Sequence, residues 1–414
     1  MTGLLEETIA LWRDCPAGLP VLGRTFAAPE QAAAEGEFER FFGRVQAELK
    51  ALPRTRAERA AAHQRITAAF AQFGRTALGL EDRHLEVLLA GGFAAIGTSL
   101  ARQARRFDPA VSTADILQAS RNAWTACGLQ VLLGRRMCLT PAIFAYSMLY
   151  PYTDNYLDDA AVPTRDKFGF SARFGRRLAG EAAAPANERE SAIWRLVEMI
   201  EQDYPRARWP QVFESLLAIH RAQEDSLRLH SAGETVDVLT LIFAKGGASV
   251  LADGYLAAGD LSQDEARFVF AWGVALQLAD DLQDVRKDAR DGVRTLFTQA
   301  AASGPLDELT SRTLHFARRV TQRMHELARP DCQPLQELIE RSSTSLLVRS
   351  AGEAGDLFSR DYLAELETYS PFRFAFLSRQ QKQLERQGGL LAKLFEAFLE
   401  GDDDEPAFPL LPRV

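Results

Sequence analysis

Two groups of aspartates have the composition and spacing to do chemistry together. The six carboxylates are Asp154, Asp158 and Asp159 in DNYLDD, and Asp280, Asp281 and Asp284 in DDLQD. Residues four apart lie on the same face of a helix, so Asp154 would stand beside Asp158, and Asp280 beside Asp284. Each cluster could therefore present several oxygens to one point.

The usual interpretation of such a cluster is a solvated helix end, but the sequence around both clusters argues against it. The first follows the uncharged run 137–153, and the second follows the charge-free run 268–279. Aspartate is a weak helix former, and its charge is unfavourable near a helix C-terminus. Like charges at i, i+4 cost a further 0.2–0.5 kcal/mol or so per pair. We therefore expect a bound cation to relieve the repulsion.

The chemistry of the clusters also indicates the kind of ligand. Sparse carboxylates that leave positions open to water and phosphate suit Mg²⁺, so the substrate is expected to carry phosphate. The apolar runs that precede the acids would hold a hydrocarbon. A charged phosphate head and an apolar tail together describe a prenyl diphosphate.

The elements that must position these clusters are predicted to be helices. No proline occurs between Pro210 and Pro305, and apolar residues recur at helical spacing, while strand-type alternation is nearly absent. The predicted helices cover 37–52, 56–78, 83–104, 113–133, 141–157, 213–227, 238–256, 266–282 and 314–327, with more helix within 331–399. The expected fold class is all-α.

The same pattern suggests an organisation in four parts. These are an N-terminal helical extension at 1–109 that packs on the core, a catalytic core at 110–330, C-terminal helices at 331–400 and an acidic tail at 401–414. The tail is expected to be flexible.

Composition excludes several classes of partner. With a net charge of −8 the chain has no electrostatic basis for gripping nucleic acid or an anionic membrane. Its four cysteines form no CxxC pair, and the longest uncharged run contains Pro141 and Pro151 and is too short for a bilayer span. We expect a cytoplasmic protein without a transmembrane segment.

The stretch 273–297, GVALQLADDLQDVRKDARDGVRTLF, resembles sequences of the class I isoprenoid synthases. Its QLADDLQD portion is similar to the second motif of trans-prenyltransferases, and LQDVRKDA is similar to squalene and phytoene synthases. The resemblance covers about residues 110–300. It implies a helical bundle around a central apolar cavity, with an aspartate motif on each of two opposite walls.

The resemblance also implies roles for the matched residues. Catalysis would involve Asp154, Asp158, Asp280, Asp281 and Asp284, and the same five residues with Asp159 would hold three Mg²⁺ ions, which Mn²⁺ can replace. The residues assigned to substrate binding are Lys245, Gln277, Gln223, Arg165, Lys167, Arg173, Lys287 and Arg294. The alternative for most of the basic residues is a solvated surface charge, and for Gln223 it is an ordinary bundle face.

The motifs favour one reaction among several. Chain elongation in the resembled family uses a GGKRxRP-type segment and an RRG after the first motif, and neither is present. The tyrosine motif of head-to-head synthases is not evident either. The expected function is a class I terpene synthase that ionises a linear prenyl diphosphate with Mg²⁺, cyclises or quenches the carbocation and releases diphosphate.

Three further interpretations stay open. One is a prenyltransferase that couples two prenyl diphosphates head to head, the second is one that elongates a chain, and the third is a non-catalytic binder of prenyl lipids. A homodimer is compatible with all of them.

Overall fold

The computed structural model describes residues 1–51, 55–90, 92–159, 161–226, 237–327 and 330–386. Every regular element within these ranges is helical, which confirms the predicted all-α class. The α-helices are α1 (Thr2–Arg13), α2 (Ala28–Ala51), α3 (Arg56–Thr76), α4 (Asp82–Leu89), α5 (Phe93–Phe107), α6 (Thr113–Leu132), α7 (Pro141–Asp158), α8 (Thr164–Leu178), α9 (Glu188–Asp203), α10 (Pro210–Ser226), α11 (Val238–Ala258), α12 (Gln263–Gln283), α13 (Val285–Asp291), α14 (Leu296–Ala301), α15 (Asp307–Glu326), α16 (Gln333–Glu353), α17 (Arg360–Glu367) and α18 (Phe374–Arg386). The predicted tail at 401–414 lies outside the described residues.

The two helices that carry the aspartate clusters begin at strong capping signals. At the start of α7, the Thr140 hydroxyl accepts a hydrogen bond from the Ile143 N–H at 3.1 Å, and Pro141 occupies the first turn. At the start of α12, Ser262 and Glu265 form a reciprocal capping box. These caps fix where each helix begins.

The helix predicted over 83–104 is wrong as a single element. It is divided into α4 and α5 at Gly92, whose φ of +91° lies in the left-handed region that glycine adopts without strain. By length and composition the stretch Asp82–Phe107 would be able to cross a membrane, and 41% of its apolar window is buried inside the protein. Core helices of soluble proteins meet the same criteria, so this finding carries little weight for a membrane span.

Helix α11 lies at the centre of the bundle and packs against α6, α7, α10, α12 and α1. Its approach to α12 is very close, because a Cβ on Gly246 would lie 2.8 Å from the carbonyl oxygen of Gly273. Only glycine permits two helix backbones to meet at this distance. The pair therefore fixes α12, and with it the second aspartate cluster, against α11.

Two outer regions complete the fold. Helix α1 packs on α11, α12 and α15, where Trp12 meets Phe243 edge-on with 5.8 Å between ring centroids. Helices α2 and α3 form a separate apolar cluster that also includes Phe372 and Phe376 from the C-terminal part of the described chain. The predicted N-terminal extension is thus held both by the central helices and by residues beyond 370.

Candidate active site

The second aspartate cluster lies where α12 ends. Asp280 and Asp281 occupy its last turn, and Asp284 is the residue at which the helix breaks, with φ −93° and ψ 6°. The Asp281 side chain is buried, with 5% exposure, and its Oδ1 accepts a hydrogen bond from Gln277 Nε2 at 2.8 Å. No donor among the described residues reaches its Oδ2. Since a buried unsatisfied oxygen is costly, this point of the fold calls for a ligand.

Carboxylates of this region disfavour each other's charge. Burial raises the pKa of Asp281 to about 7. The hydrogen bond from Gln277 acts to lower this pKa, and the Asp280 and Asp288 carboxylates act to raise it further. Burial and the neighbouring Asp284 raise the pKa of Asp288 to about 6. Asp280 is exposed to solvent, but protein atoms surround its carboxylate on the other side. The resulting desolvation and the charge of Asp284 raise the pKa of Asp280 as well. A cation would relieve this repulsion.

Two basic side chains from neighbouring helices oppose these shifts. The charge of Lys245 on α11 acts to lower the pKa of both Asp280 and Asp281, and that of Arg121 on α6 acts to lower the pKa of Asp280. The structure therefore brings the predicted Lys245 together with the second cluster. Sequence analysis missed Arg121, because one arginine in ILQASRNAW, 116–124, is indistinguishable from a surface charge.

The first cluster is arranged differently. Asp154, in the last turns of α7, is partly exposed, and its Oδ1 accepts hydrogen bonds from the Gln223 side-chain amide and from the Thr153 hydroxyl, the latter at 3.3 Å. Asp158 is the last residue of α7, and its side chain lies outside the described part of the chain. Asp159 follows the helix and is exposed, and its Oδ1 accepts the N–H of Ala161 at 2.8 Å. The structure thus brings Gln223, predicted as a substrate-binding residue, into contact with Asp154.

Both clusters lie towards the end of the bundle that carries Lys245. Gln211, at the start of α10, donates to the carbonyl of Gly259 just after α11 at 3.0 Å, so the two helices run antiparallel. Gln223 lies roughly 18 Å further along α10, and Lys245 lies roughly 21 Å back along α11. Asp154, which contacts Gln223, is therefore level with Lys245, the side chain whose charge acts on Asp280 and Asp281.

The predicted cations near the first cluster occupy α8. Arg165 and Lys167 lie in its first turn, where Arg165 is exposed and Lys167 is half-buried. Arg173 instead pairs with the buried Glu190, with 2.9 Å between Nε and Oε2. Burial alone would raise the pKa of Glu190, but Arg173 and the Ala186 N–H together lower it. The substrate-binding role of Arg173 stays a prediction with which this ion pair competes.

The predicted cations after the second cluster are near it in the chain. Lys287 lies on α13 with its Nζ 3.8 Å from Oδ2 of Asp284, and about two thirds of its side chain is exposed. Arg294 lies between α13 and α14 and is half-buried. Lys287 therefore lies within ion-pair distance of the second cluster.

An apolar cavity opens beside Asp154, between α7, α8 and α10. It contains about 410 Å³ of empty space, much of it open to solvent. Its lining consists of Tyr146, Leu149, Tyr150, Thr153, Phe174, Leu178, Leu216, Ile219, His220 and Gln223. Thr153 and Gln223 are both contacts of Asp154, so the first cluster lies directly at an apolar space.

Another buried carboxylate, which motif analysis missed, lies on α11. Asp253 is 1% exposed and accepts a hydrogen bond from the Asn122 amide at 3.1 Å, while Asn122 accepts one from the Ser147 hydroxyl at 2.9 Å. Burial raises the pKa of Asp253 well above its ordinary value. A single aspartate in ASVLADGYLAAG gives no sign that it joins α6, α7 and α11.

The carboxylates of the two clusters are donors of the type that magnesium uses. In the described part of the chain, no group of three His, Cys, Asp or Glu side chains is close enough to hold an ion by itself. Magnesium is commonly bound by one or two carboxylates, with waters and substrate phosphates completing its coordination. The unsatisfied Oδ2 of Asp281 and the carboxylate of Asp154 are donors of this kind.

Comparison with protein-family models and with curated proteins gave no match for this sequence. Function must therefore be argued from the residues themselves.

Proposed function

We propose that this chain is a Mg²⁺-dependent enzyme of the class I isoprenoid synthase type, which ionises a linear prenyl diphosphate and lets the carbocation cyclise or be quenched. The observation that carries the proposal is the environment of Asp281, a buried carboxylate with an unsatisfied oxygen among other aspartates. A solvated helix end would leave this side chain in water. The resemblance of 273–297 to isoprenoid synthase motifs supports the same conclusion.

In this proposal the aspartates hold the metal ions and the basic residues hold the leaving group. Asp154, Asp280 and Asp281 would be ligands, together with the predicted Asp158, Asp159 and Asp284. When bound, Mg²⁺ neutralises charge that builds up on the departing diphosphate. Lys245 and Arg121 add fixed positive charge beside the second cluster, where they stabilise the released anion.

The apolar cavity supplies the other half of the site. Its aliphatic and aromatic walls would hold the hydrocarbon away from water, and the rings of Tyr146 and Tyr150 stand where they could stabilise a cation. The Tyr146 hydroxyl donates to the carbonyl of Ser249 at 3.0 Å, which fixes the ring. An apolar wall beside an acidic mouth matches a substrate with a charged head and a hydrocarbon tail.

The test is diphosphate release from geranyl, farnesyl, geranylgeranyl and longer prenyl diphosphates, with product identification by mass spectrometry. Purified protein should release diphosphate with Mg²⁺ or Mn²⁺ and lose the activity in excess EDTA. Asp331→Asn, at an exposed aspartate in the 3₁₀ turn Pro330–Cys332, is a matched control that should retain the wild-type rate. Undiminished turnover with EDTA would contradict the metal requirement.

The same assay separates the alternatives. Labelled isopentenyl diphosphate should neither accelerate consumption nor enter the product of a single-substrate synthase. Its incorporation would establish a chain-elongating prenyltransferase, and a product with twice the carbon count of the substrate would establish head-to-head coupling. Tight binding of prenyl diphosphates without any release of diphosphate would establish a non-catalytic binder.

A further inference from the structure

The imidazole of His220, on α10, lines the apolar cavity and is held in one orientation by α8. The side chain is 5% exposed, and its Nε2 lies 3.1 Å from the carbonyl oxygen of Ser171. The ring of Phe174 packs edge-on against it, with 5.1 Å between ring centroids. Because a carbonyl oxygen only accepts hydrogen bonds, Nε2 must carry the proton, and Nδ1 of the neutral ring keeps its lone pair.

The lone pair on Nδ1 points away from α8. A Cβ on Gly175 would lie 3.1 Å from Nε2 and 3.3 Å from Cδ2 of His220, so the edge that joins these two atoms faces the backbone of α8. Glycine at 175 leaves the room that this edge occupies. Nδ1 is the ring atom opposite the same edge. Since α8 covers the other edge, the part of the ring that lines the cavity is the part that carries Nδ1.

The groups around His220 suit a neutral ring that can accept a proton and then be stabilised. Burial lowers the pKa of His220, and the charge of Arg221 acts in the same direction. The carboxylate of Glu224 and the hydrogen bond to the Ser171 carbonyl act to raise this pKa. Oε1 of Glu224 lies 3.7 Å from Nε2 and accepts a hydrogen bond from the Ser171 hydroxyl. An imidazolium formed here would therefore have a negative charge beside it.

His220 is the strongest base among the side chains that line the cavity. The other polar side chains of the lining carry hydroxyl or amide groups and are Tyr146, Tyr150, Thr153 and Gln223. Neutral hydroxyls and amides bind a proton far more weakly than imidazole does, and histidine is the residue that most often serves as a general base. A cation in this cavity would thus lie beside one side chain that is able to take a proton from it.

We propose that Nδ1 of His220 is the base that ends the reaction by taking a proton from the carbocation. The inference rests on the proposed function, because ionisation of a prenyl diphosphate creates the cation. The C–H bond on the carbon next to the cationic centre breaks, its electron pair forms a C=C bond, and the proton moves to Nδ1. The imidazolium returns this proton to water after the product leaves. The main product is therefore an olefin, formed without addition of water.

The experiment measures how the product divides between olefin and alcohol. Wild type, His220→Gln and a control are incubated with Mg²⁺ and geranyl, farnesyl or geranylgeranyl diphosphate, and the products are quantified by mass spectrometry. Glutamine at 220 keeps an N–H donor for the Ser171 carbonyl but offers no basic nitrogen. We expect the ratio of olefin to alcohol to fall at least about 10-fold in His220→Gln. The ratio is taken within each variant, so it does not depend on how fast that variant ionises the substrate.

The matched control is His84→Gln. His84 is a buried histidine on α4, with 2% exposure, and its Nε2 lies 2.7 Å from Oε2 of Glu337, outside the cavity lining. This control should keep the wild-type ratio of olefin to alcohol. An equal fall in His84→Gln and His220→Gln would show a general effect of losing a buried histidine and would overturn the role of His220.

Two further measurements cover the case in which His220→Gln fails to fold. In ¹⁵N NMR of the metal-free wild type at pH 7.5, His220 should carry its proton on Nε2 and none on Nδ1. Glu224→Gln keeps an acceptor for the Ser171 hydroxyl but removes the negative charge beside Nε2, and its ratio of olefin to alcohol should fall by about threefold, since Glu224 is partly exposed. A proton on Nδ1 or an unchanged ratio in Glu224→Gln would overturn the proposal.

The outcomes separate this inference from the proposed function. Diphosphate release with an unchanged ratio in His220→Gln, or with alcohol as the main product of wild type, would overturn the role of His220 and leave the enzyme standing. The released diphosphate or water would then take the part assigned to the imidazole. Absence of diphosphate release by wild type would instead refute the proposed function and the base together.

Discussion

The two aspartate clusters have similar sequences but different surroundings. Asp281, in the second cluster, is buried, with one oxygen held by Gln277 and the other unsatisfied among the described residues. Asp154, in the first cluster, is partly exposed and accepts hydrogen bonds from Gln223 and Thr153. Asp281 has therefore lost solvation that Asp154 retains.

This difference indicates that the two clusters bind metal in different ways. A buried carboxylate beside like charges, such as Asp281, is unfavourable until a cation arrives, so the second cluster should gain most from metal binding. The first cluster, open to solvent and to the apolar cavity, is better placed to receive a metal that enters with the substrate. Four predictions test this contrast.

The largest expected effect is on turnover. Asp281→Asn keeps the hydrogen bond from Gln277 but removes a charged metal donor, and we expect diphosphate release to fall by about 100-fold or more. Asp154→Asn should lose activity on the same scale. Steady-state rates of both variants are compared with those of Asp331→Asn. Near-normal rates in both would show that the clusters are solvated helix ends without a role in metal binding.

A second prediction concerns the stability of the metal-free protein. Because Asp281 is buried among like charges, Asp281→Asn should raise the free energy of unfolding in EDTA at pH 7.5 by about 1–3 kcal/mol. Asp154→Asn should change it by less than about 0.5 kcal/mol, as is usual for a partly exposed site. Urea unfolding measures both values, and a loss of stability in Asp281→Asn would contradict the idea of stored repulsion.

The third prediction follows from the raised pKa values. The pKa of Asp281 is about 7 in the folded protein against an ordinary 3.8, so between these values the folded state holds a proton that the unfolded state releases. Stability from this group is present below pH 4 and is lost as pH rises towards 7, by up to about 1.4 kcal/mol per pH unit. The advantage of Asp281→Asn over wild type in urea unfolding should therefore grow from pH 4.5 to 7.5. A constant difference would show that Asp281 does not titrate in this range.

The smallest effect is expected from the amides that hold the carboxylates. Gln277→Ala and Gln223→Ala each remove a hydrogen bond that orients one aspartate, and we expect about 10-fold losses in kcat/KM. Titration of Mg²⁺ distinguishes the two variants. Gln277→Ala should weaken Mg²⁺ binding by the free enzyme, whereas Gln223→Ala should mainly raise the KM for the prenyl diphosphate. Identical Mg²⁺ titrations of the two variants would contradict the proposal that the clusters bind metal in different ways.

Much of the helical framework could be predicted from apolar spacing. The helix predicted over 113–133 is observed as Thr113–Leu132, and the one over 238–256 as Val238–Ala258. Proline placement and polar breaks mark these ends locally, so a single sequence suffices. Apolar spacing alone misses the break at Gly92, because the apolar pattern continues on both sides of it, but the adjacent Gly91-Gly92 pair is itself a turn signal in the sequence.

The candidate site could be predicted only where its residues form a local pattern. Asp154, Gln277 and Asp281 follow from motif and helical spacing. Arg121 and Asp253 do not, because their meaning depends on which helices α6 and α11 touch. Such contacts arise from packing between distant segments, and no spacing within one helix reports them.

The docking of α1 on the central helices has a consequence for the order of folding. Trp12 packs against Phe243, although 230 residues separate them in the chain. At a synthesis rate of about 5–20 residues per second, α1 waits on the order of 10–50 s on the ribosome before its partner surface exists. During that interval its apolar face has no native cover, and the face of α11 that it later covers is not yet made. Closing the bundle around α11 is therefore a long-range step in which α1 meets a helix that is synthesised more than 200 residues later.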